Sequence, residues 1–537
     1  MTGPYHLDTL DDADRAQIEP WVSNLDSPVF TLRGLSQVTA AALFARYSRS
    51  PKSLRRLLLD EFLKGEEVAA ELAAPVRDDA GRARAGRLFG HVIAEYGDDS
   101  VAQLGGIHLA CEQVSQPLAK AIEWGRLAAY LEQSTRYIPY TDLRDGHYRY
   151  HRDPALMGSA HAGTYLAAMD GLFDAYVEML PLLRAHLGQT LPAEADPKAR
   201  ERAIRALALD LLRGLLPAGT VSNLGVYASP QALEQLVMRL RAHALPEARA
   251  YAELIDRELQ ATIPEMVTRL DRPDRGGVWV EYLRETALAL EAEGERLIGP
   301  GRLQENLPGT EPPPAAVALL RWDPDGEERI MAGALMPHTS AGFEEVVAAV
   351  HALPETERDR LFAAALGVRG NRRHRPGRGF EHTDYTFELV SDFGAFRDLQ
   401  RHRMLTIQWQ ELTPALGYAI PAEVVAAGLD GRWRQAVERA ETAWAEIRAD
   451  LPEQAQYLVT LAHRVRYVIK LNAREALHLI ELRTSPQGHP SYRRICQEMR
   501  HQIEIVAGHH RVARTMSFAG REDVHLPRYA AEAGRGD

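Results

Sequence analysis

The chain has 537 residues, a formal net charge of −11, 45% hydrophobic residues and 26% charged residues. That length allows two or more domains with full cores, and the composition is that of a soluble globular protein. The acidic balance excludes bulk attraction to nucleic acid, and two cysteines, Cys111 and Cys496, exclude a disulfide scaffold or a cysteine-based zinc site while fitting a reducing cytoplasm.

In chain order, residues 1–26 are an acidic lead-in without the basic and apolar regions of a signal peptide. Nowhere is a stretch long and apolar enough to span a bilayer, so the expected location is cytoplasmic, with no membrane partner. Ser27 to Ser36 reads as a strand and a helix start. Residues 38–74 read as a helix carrying Leu43, Leu54, Leu58 and Phe62. Asp98-Asp-Ser100 supplies an N-cap, and residues 101–135 read as mostly helix or buried strand, stopped by Pro139. Residues 138–200 are mixed. Helices are predicted over 199–216, 230–243, 246–270 and 278–297, the last with Leu288, Leu290 and Leu297 on its apolar side. Clustered Pro and Gly mark a linker over 299–314. The second half opens with Ala315 to Trp322, a turn at Asp323-Pro-Asp-Gly326, and Arg329 to Met336, which together predict a hairpin. A helix over 342–366 follows, then a strand over Phe380 to Val390 and helices over 430–449, 453–470, 472–483 and 490–507. The last residues are small and polar, a disordered tail over 525–537.

Arg401-His402-Arg403 places two guanidiniums around an imidazole just upstream of Met404-Leu405. Planar, permanently charged forks suit phosphates and carboxylates, so the triplet predicts an anion site; a solvated turn is the competing reading. The order of features repeats along the chain. Each half has a strand–helix opening, an Arg-bearing stretch, an amphipathic helix and a second helix ending in Arg, although identity between the halves is low.

Taken with that triplet, Asn472-Ala-Arg474-Glu-Ala-Leu-His478-Leu-Ile-Glu-Leu-Arg483 resembles the flavin-dependent thymidylate synthases. His382, in Phe380 to Phe387, looks like that family's flavin-side histidine. In the first half, Arg126-Leu-Ala-Ala-Tyr-Leu-Glu132-Gln-Ser134-Thr135-Arg136-Tyr137 resembles the continuation of the same signature. The resemblance covers residues 90–240 and 380–500. It implies an α/β fold of the α+β type, helix-rich, with two tandem copies of a small antiparallel sheet flanked by helices. The first half, over 27–298, keeps the nucleotide-side motif; the second, over 315–524, keeps the flavin-side motif. Departures are complementary. Trp124-Gly125 stands where Arg-His should precede Arg126, while Trp409, Glu411 and Thr413 stand where the family has Glu, Ser and Arg, and Gln456 stands where the first half has Arg213. One composite site built from both halves is therefore expected.

The resemblance implies methylation of dUMP at C5, with methylenetetrahydrofolate as carbon donor and FAD, reduced by NADPH, as hydride donor. Glu132, Ser134, Thr135, Arg136, Arg213 and Arg401 would hold the nucleotide. His382, Arg401, His402, Arg403, Asn472, Arg474 and His478 would hold FAD. Arg483 would be catalytic, stabilising negative charge on the uracil ring, with no cysteine nucleophile required. No metal is expected, because His489, His501, His509 and His510 fit no zinc spacing. The family's tetramer implies a homodimer of this chain. Competing readings are another uridine-type nucleotide, with Asp398 and Trp409 reshaping the pocket, or a non-catalytic scaffold. Arg474 and Glu481 also read as ordinary helix-surface charges, and Ser134-Thr135 as a turn closure.

Overall fold

The computed structural model describes residues 5, 7–35, 40, 43–44, 47, 50–63, 103, 105–191, 196–299, 316–520 and 529. The cap expected at 98–100, much of the helix expected over 38–74, most of the linker expected over 299–314 and, apart from Tyr529, the tail expected over 525–537 lie outside the described residues.

Two four-stranded antiparallel sheets organise the chain. The first contains β1 (Val29–Thr31), β2 (Ile107–Val114), β3 (Ala128–Glu132) and β4 (Ser222–Ala228), in the order β1-β2-β4-β3. The second contains β5 (Ala316–Trp322), β6 (Asp384–Asp392), β7 (Thr406–Trp409) and β8 (Arg464–Asn472), in the order β5-β6-β8-β7. Strand order is thus the same in both, and the connections repeat as well: a short helix follows β2 and β6, longer helices precede β4 and β8, and a helix follows each of those strands. The fold is α/β, in two copies. Register supports the motif alignment. Glu132 ends β3 opposite Leu224, and Trp409 ends β7 opposite Tyr467, so the two occupy equivalent places.

The chain forms two compact units. One comprises Met1–Glu178, Leu215–Glu305 and Arg432–Val459; the other comprises Met179–Gly214, Asn306–Gly431 and Thr460–Asp537. The first sheet belongs to the first unit and the second sheet to the second. In the first unit, Phe30, Tyr47, Leu54, Leu57 and Leu58 are buried in a core beside Ala110. In the second, β8 alternates: Val465, Tyr467, Ile469 and Leu471 are buried, while Arg464, Arg466, Val468 and Lys470 face outward. Phe396 packs edge-on against Tyr467, with ring centroids 5.0 Å apart.

Several expectations are corrected. Residues 453–470 are not one helix; a short turn of helix, Pro452–Ala455, is followed by a 3-10 turn and then β8, whose alternation is a strand's. Arg329 to Met336 is not the second strand of a hairpin. It lies mostly in the helix Gly326–Leu335, and β5 pairs instead with the distant β6. The helix expected over 342–366 is two, Phe343–His351 and Glu355–Leu366, divided at Pro354, which cannot continue the first. Helix 246–270 ends earlier, at Thr262. Leu288, Leu290 and Leu297 of the helix Val278–Ile298 are exposed. Among the described residues no helix is long and apolar enough to cross a membrane.

Candidate functional site

The second unit gathers the densest group of predicted residues. Two helices build it. Phe393–Gln400 starts at Asp392, whose side chain accepts a hydrogen bond from Ala395 N at 2.8 Å, and is buried along its whole length. Ala473–Arg483 starts at Asn472, whose Oδ1 accepts from Glu475 N at 2.9 Å. Such caps are each worth about 1 kcal/mol, and each fixes where its helix begins beneath the sheet. The sequence reading gave Asn472 a cofactor role; its side chain is the cap.

Arg401-His402-Arg403 straddles the end of the first helix, and this divides the triplet. Arg401 and Arg403 are exposed on the turn, whereas His402 is buried. His402 Nδ1 lies 2.8 Å from Glu475 Oε1, and Arg483 Nε donates to His402 Nε2 at 3.0 Å. A guanidinium can only donate. His402 Nε2 must therefore be the accepting nitrogen, and Nδ1–H donates to Glu475. Burial pushes the His402 imidazole down to about 4, with Arg483 acting in the same direction and Glu475 opposing. Burial alone would raise Glu475, but the hydrogen bonds of His402 and His478 outweigh it and hold the carboxyl at about 2. The pair at neutral pH is a neutral imidazole on an ionised carboxylate. His478 Nδ1 stands 3.4 Å from both Glu475 oxygens.

A second focus is the Asp398 carboxylate. Arg483 Nη1 lies 3.4 Å from its Oδ1 and Arg213 Nη1 3.5 Å from its Oδ2, with Arg401 Nη1 at 4.0 Å. Three guanidiniums thus converge on one carboxylate. A Cβ added at Gly394 would lie 3.0 Å from Asp392 Oδ1 and 3.1 Å from Arg213 Nη2, so glycine there leaves room for Arg213. Asp392 is itself raised by burial, against the lowering effect of Arg213. Arg483 Nη2 has no hydrogen-bond partner among the described residues, and the guanidinium carbon stands 5.6 Å over the Tyr492 ring.

The other predicted residues stand as follows. Arg474 turns toward residues 376–381, where Nε donates to Pro376 O at 2.9 Å and Nη1 pairs with Glu381 at 3.3 Å. His382 precedes β6, is exposed, and stacks on Phe343 with centroids 5.1 Å apart. In the first unit, Glu132 is buried with its carboxylate 3.3 Å from Lys120 Nζ. Ser134 Oγ accepts from Arg136 N at 3.2 Å, closing the turn after β3; Thr135 is buried and Arg136 half-buried. A cavity of about 590 Å³ in that unit is lined by Met238, Leu270, Val278, Trp279 and Tyr282 among others, and none of the predicted residues lines it.

Sequence reasoning left Glu475 without a function, although it joins His402 to His478. Nothing local signals this, because the His402–Glu475 contact spans 73 positions. Glu481 is not a surface charge. It is fully buried and takes both Nη atoms of Arg369, at 2.9 and 2.6 Å. His509 serves structure, its Nδ1 at 2.7 Å from Tyr385 Oη and its Nε2 at 3.0 Å from Asp323 O, and His489 caps the helix Pro490–Ile505.

Two sheets of the same strand order, with a guanidinium-rich cluster at one of them, define an α/β protein built in two copies. The chain belongs to the thymidylate synthase complementing protein family, which matches residues 37–265 and 318–507. It is 37% identical over 528 residues to a UPF0159 protein of Chlamydia muridarum, covering 97% of each chain. A UPF0159 protein of Thermoplasma acidophilum is 29% identical over 524 residues, covering 92% of this chain and 98% of the relative. A flavin-dependent thymidylate synthase of Mycobacterium sp. is 29% identical over 176 residues, which is 32% of this chain and 65% of that protein.

Proposed function

We propose that the chain is an FAD-dependent enzyme that methylates dUMP at C5, with methylenetetrahydrofolate as carbon donor and NADPH as reductant. The observation that carries the reading is the placement of Arg483: its Nε is anchored on His402 and its Nη1 points to Asp398, leaving Nη2 for a ligand. A guanidinium held that way is oriented before substrate arrives. It can stabilise the negative charge that develops on the uracil oxygen as C5 becomes nucleophilic, and such preorganised donors supply a large part of catalysis. Because His402 is neutral, it does not repel Arg483. Arg213 and Arg401 supply further cationic donors suited to a phosphate, and Glu132, Ser134, Thr135 and Arg136 keep the nucleotide-binding role in the proposal.

The residues fit a flavin dinucleotide in their donor chemistry. Arg401 and Arg403 are exposed permanent cations, and His478 is half-buried, so a pyrophosphate can reach guanidinium donors without unfolding the turn. FAD, when bound, supplies the hydride. The protein's part is to orient the nucleotide and hold its charge. A homodimer is the assembly proposed.

The test is the visible absorption spectrum of the purified chain, alone, with added FAD, and then with dUMP. Flavin bands that shift on adding dUMP support the reading and justify a turnover assay with methylenetetrahydrofolate and NADPH. No flavin binding under any of these conditions sinks it.

A further inference from the structure

We propose that His402, Glu475 and His478 form a site for a divalent transition metal of the zinc type, and that the metal and the Arg483–His402 hydrogen bond exclude one another. The inference rests on this trio alone and not on the proposed chemistry.

The geometry comes first. One ligand atom from each residue can be chosen so that all three lie within 4.8 Å of one another. His402 Nδ1 is 2.8 Å from Glu475 Oε1, and His478 Nδ1 is 3.4 Å from the same oxygen. Zinc takes His nitrogens and carboxylate oxygens at about 2.0–2.2 Å in a tetrahedron, which places neighbouring ligand atoms about 3.3 Å apart. The two separations to Glu475 therefore bracket the edge length of a tetrahedral site. Two imidazoles and one carboxylate are a donor set that leaves the fourth position to water or an exogenous ligand. Glu475 and His478 are three apart on one capped helix, so their spacing is fixed by helix geometry. The His478 side chain is 24% exposed, which provides a way in.

Proton placement supplies the second half. Without metal, His402 carries its proton on Nδ1 and accepts from Arg483 on Nε2. A metal on Nδ1 needs that lone pair, so the proton moves to Nε2. There it would face the Arg483 Nε–H, donor against donor. Arg483 must then swing away, and the dication adds repulsion to the guanidinium. No net proton is lost or gained in this tautomer exchange. By linkage, whatever holds Arg483 on His402 weakens the metal to the same degree.

The experiment uses the full chain, dialysed against chelator, titrated with Co²⁺ and followed by its visible ligand-field absorption and by calorimetry. We expect one equivalent of Co²⁺ with the intense spectrum of a tetrahedral site, competed away by Zn²⁺. His478→Gln and Glu475→Gln should each weaken binding at least tenfold, with cooperative thermal melting showing that the variants fold. Arg483→Gln should tighten binding about tenfold, the factor that corresponds to about 1.4 kcal/mol. Absence of stoichiometric binding, or binding that His478→Gln leaves unchanged, overturns the site. Unchanged affinity in Arg483→Gln overturns the exclusion.

Discussion

Arg483 Nε donates to His402 Nε2 across 3.0 Å, and this one bond fixes both the tautomer of the imidazole and the direction of the guanidinium. Lysine has no planar fork and cannot make the bond while also reaching Asp398. Arg483→Lys and Arg483→Ala are expected to lower turnover by about a hundredfold or more, the usual loss for one preorganised donor. Circular dichroism should stay native. An Arg483→Ala enzyme with near-normal turnover would remove the role assigned to this residue.

Gly394→Ala tests the room made for Arg213. The added methyl would press on Arg213 Nη2 and on Asp392, both at close to 3 Å. Weaker dUMP binding is expected, read as a raised KM, with a smaller effect on kcat. Equal KM in the two proteins would show that Arg213 does not need this clearance.

Acid should destabilise the second unit in two windows. His402 is depressed from 6.5 to about 4, so the unfolded chain takes up its proton first and stability falls as pH drops from 6.5 toward 4. Glu475 is depressed from 4.5 to about 2, so its contribution is complete above 4.5 and is lost as pH falls toward 2. His402→Gln removes the first window. The check is Tm against pH for both proteins; the same slope between 6.5 and 4 would contradict the neutral, buried imidazole.

Arg369 anchors the helix Ala473–Arg483 through its bidentate pair with Glu481, whose oxygen also accepts from Phe518 N at 3.2 Å. Breaking a buried pair strands the other charge and costs about 3–5 kcal/mol. Arg369→Leu should show that loss in urea unfolding. A double variant, Arg369→Leu with Glu481→Gln, should recover part of it.

Cys111 and Cys496 are buried, and burial pushes both thiols up to about 12. They should resist thiol reagents in the native protein and react on unfolding. The Cys111→Ala, Cys496→Ala chain should keep its turnover.

The helix Ala473–Arg483 was legible through its apolar period, whereas the capping role of Asn472 was not. Equally legible was the duplicated sheet, through the family resemblance. The strand β8 was missed although Val465, Tyr467, Ile469 and Leu471 alternate with polar or smaller neighbours, a signal overridden by the preceding helical stretch. No reading of Arg401-His402-Arg403 could divide it, since only the helix end at Gln400 sends the imidazole inward and the guanidiniums outward. The bonds from His402 to Glu475 and Arg483, and from Arg369 to Glu481, join distant positions, and local pattern carries no trace of them.

The two compact units exchange segments: Met179–Gly214 belongs with the later sheet, and Arg432–Val459 belongs with the earlier one. Within the earlier unit Tyr457 donates to Glu247 at 2.9 Å, and Ala218 N donates to Val459 O at 2.7 Å. During synthesis that unit therefore waits, after residue 305, for residue 459 to leave the ribosome, a delay of roughly ten to thirty seconds at ordinary translation rates. A cut after residue 305 would leave the earlier unit without Arg432–Val459 and the later unit without Met179–Gly214.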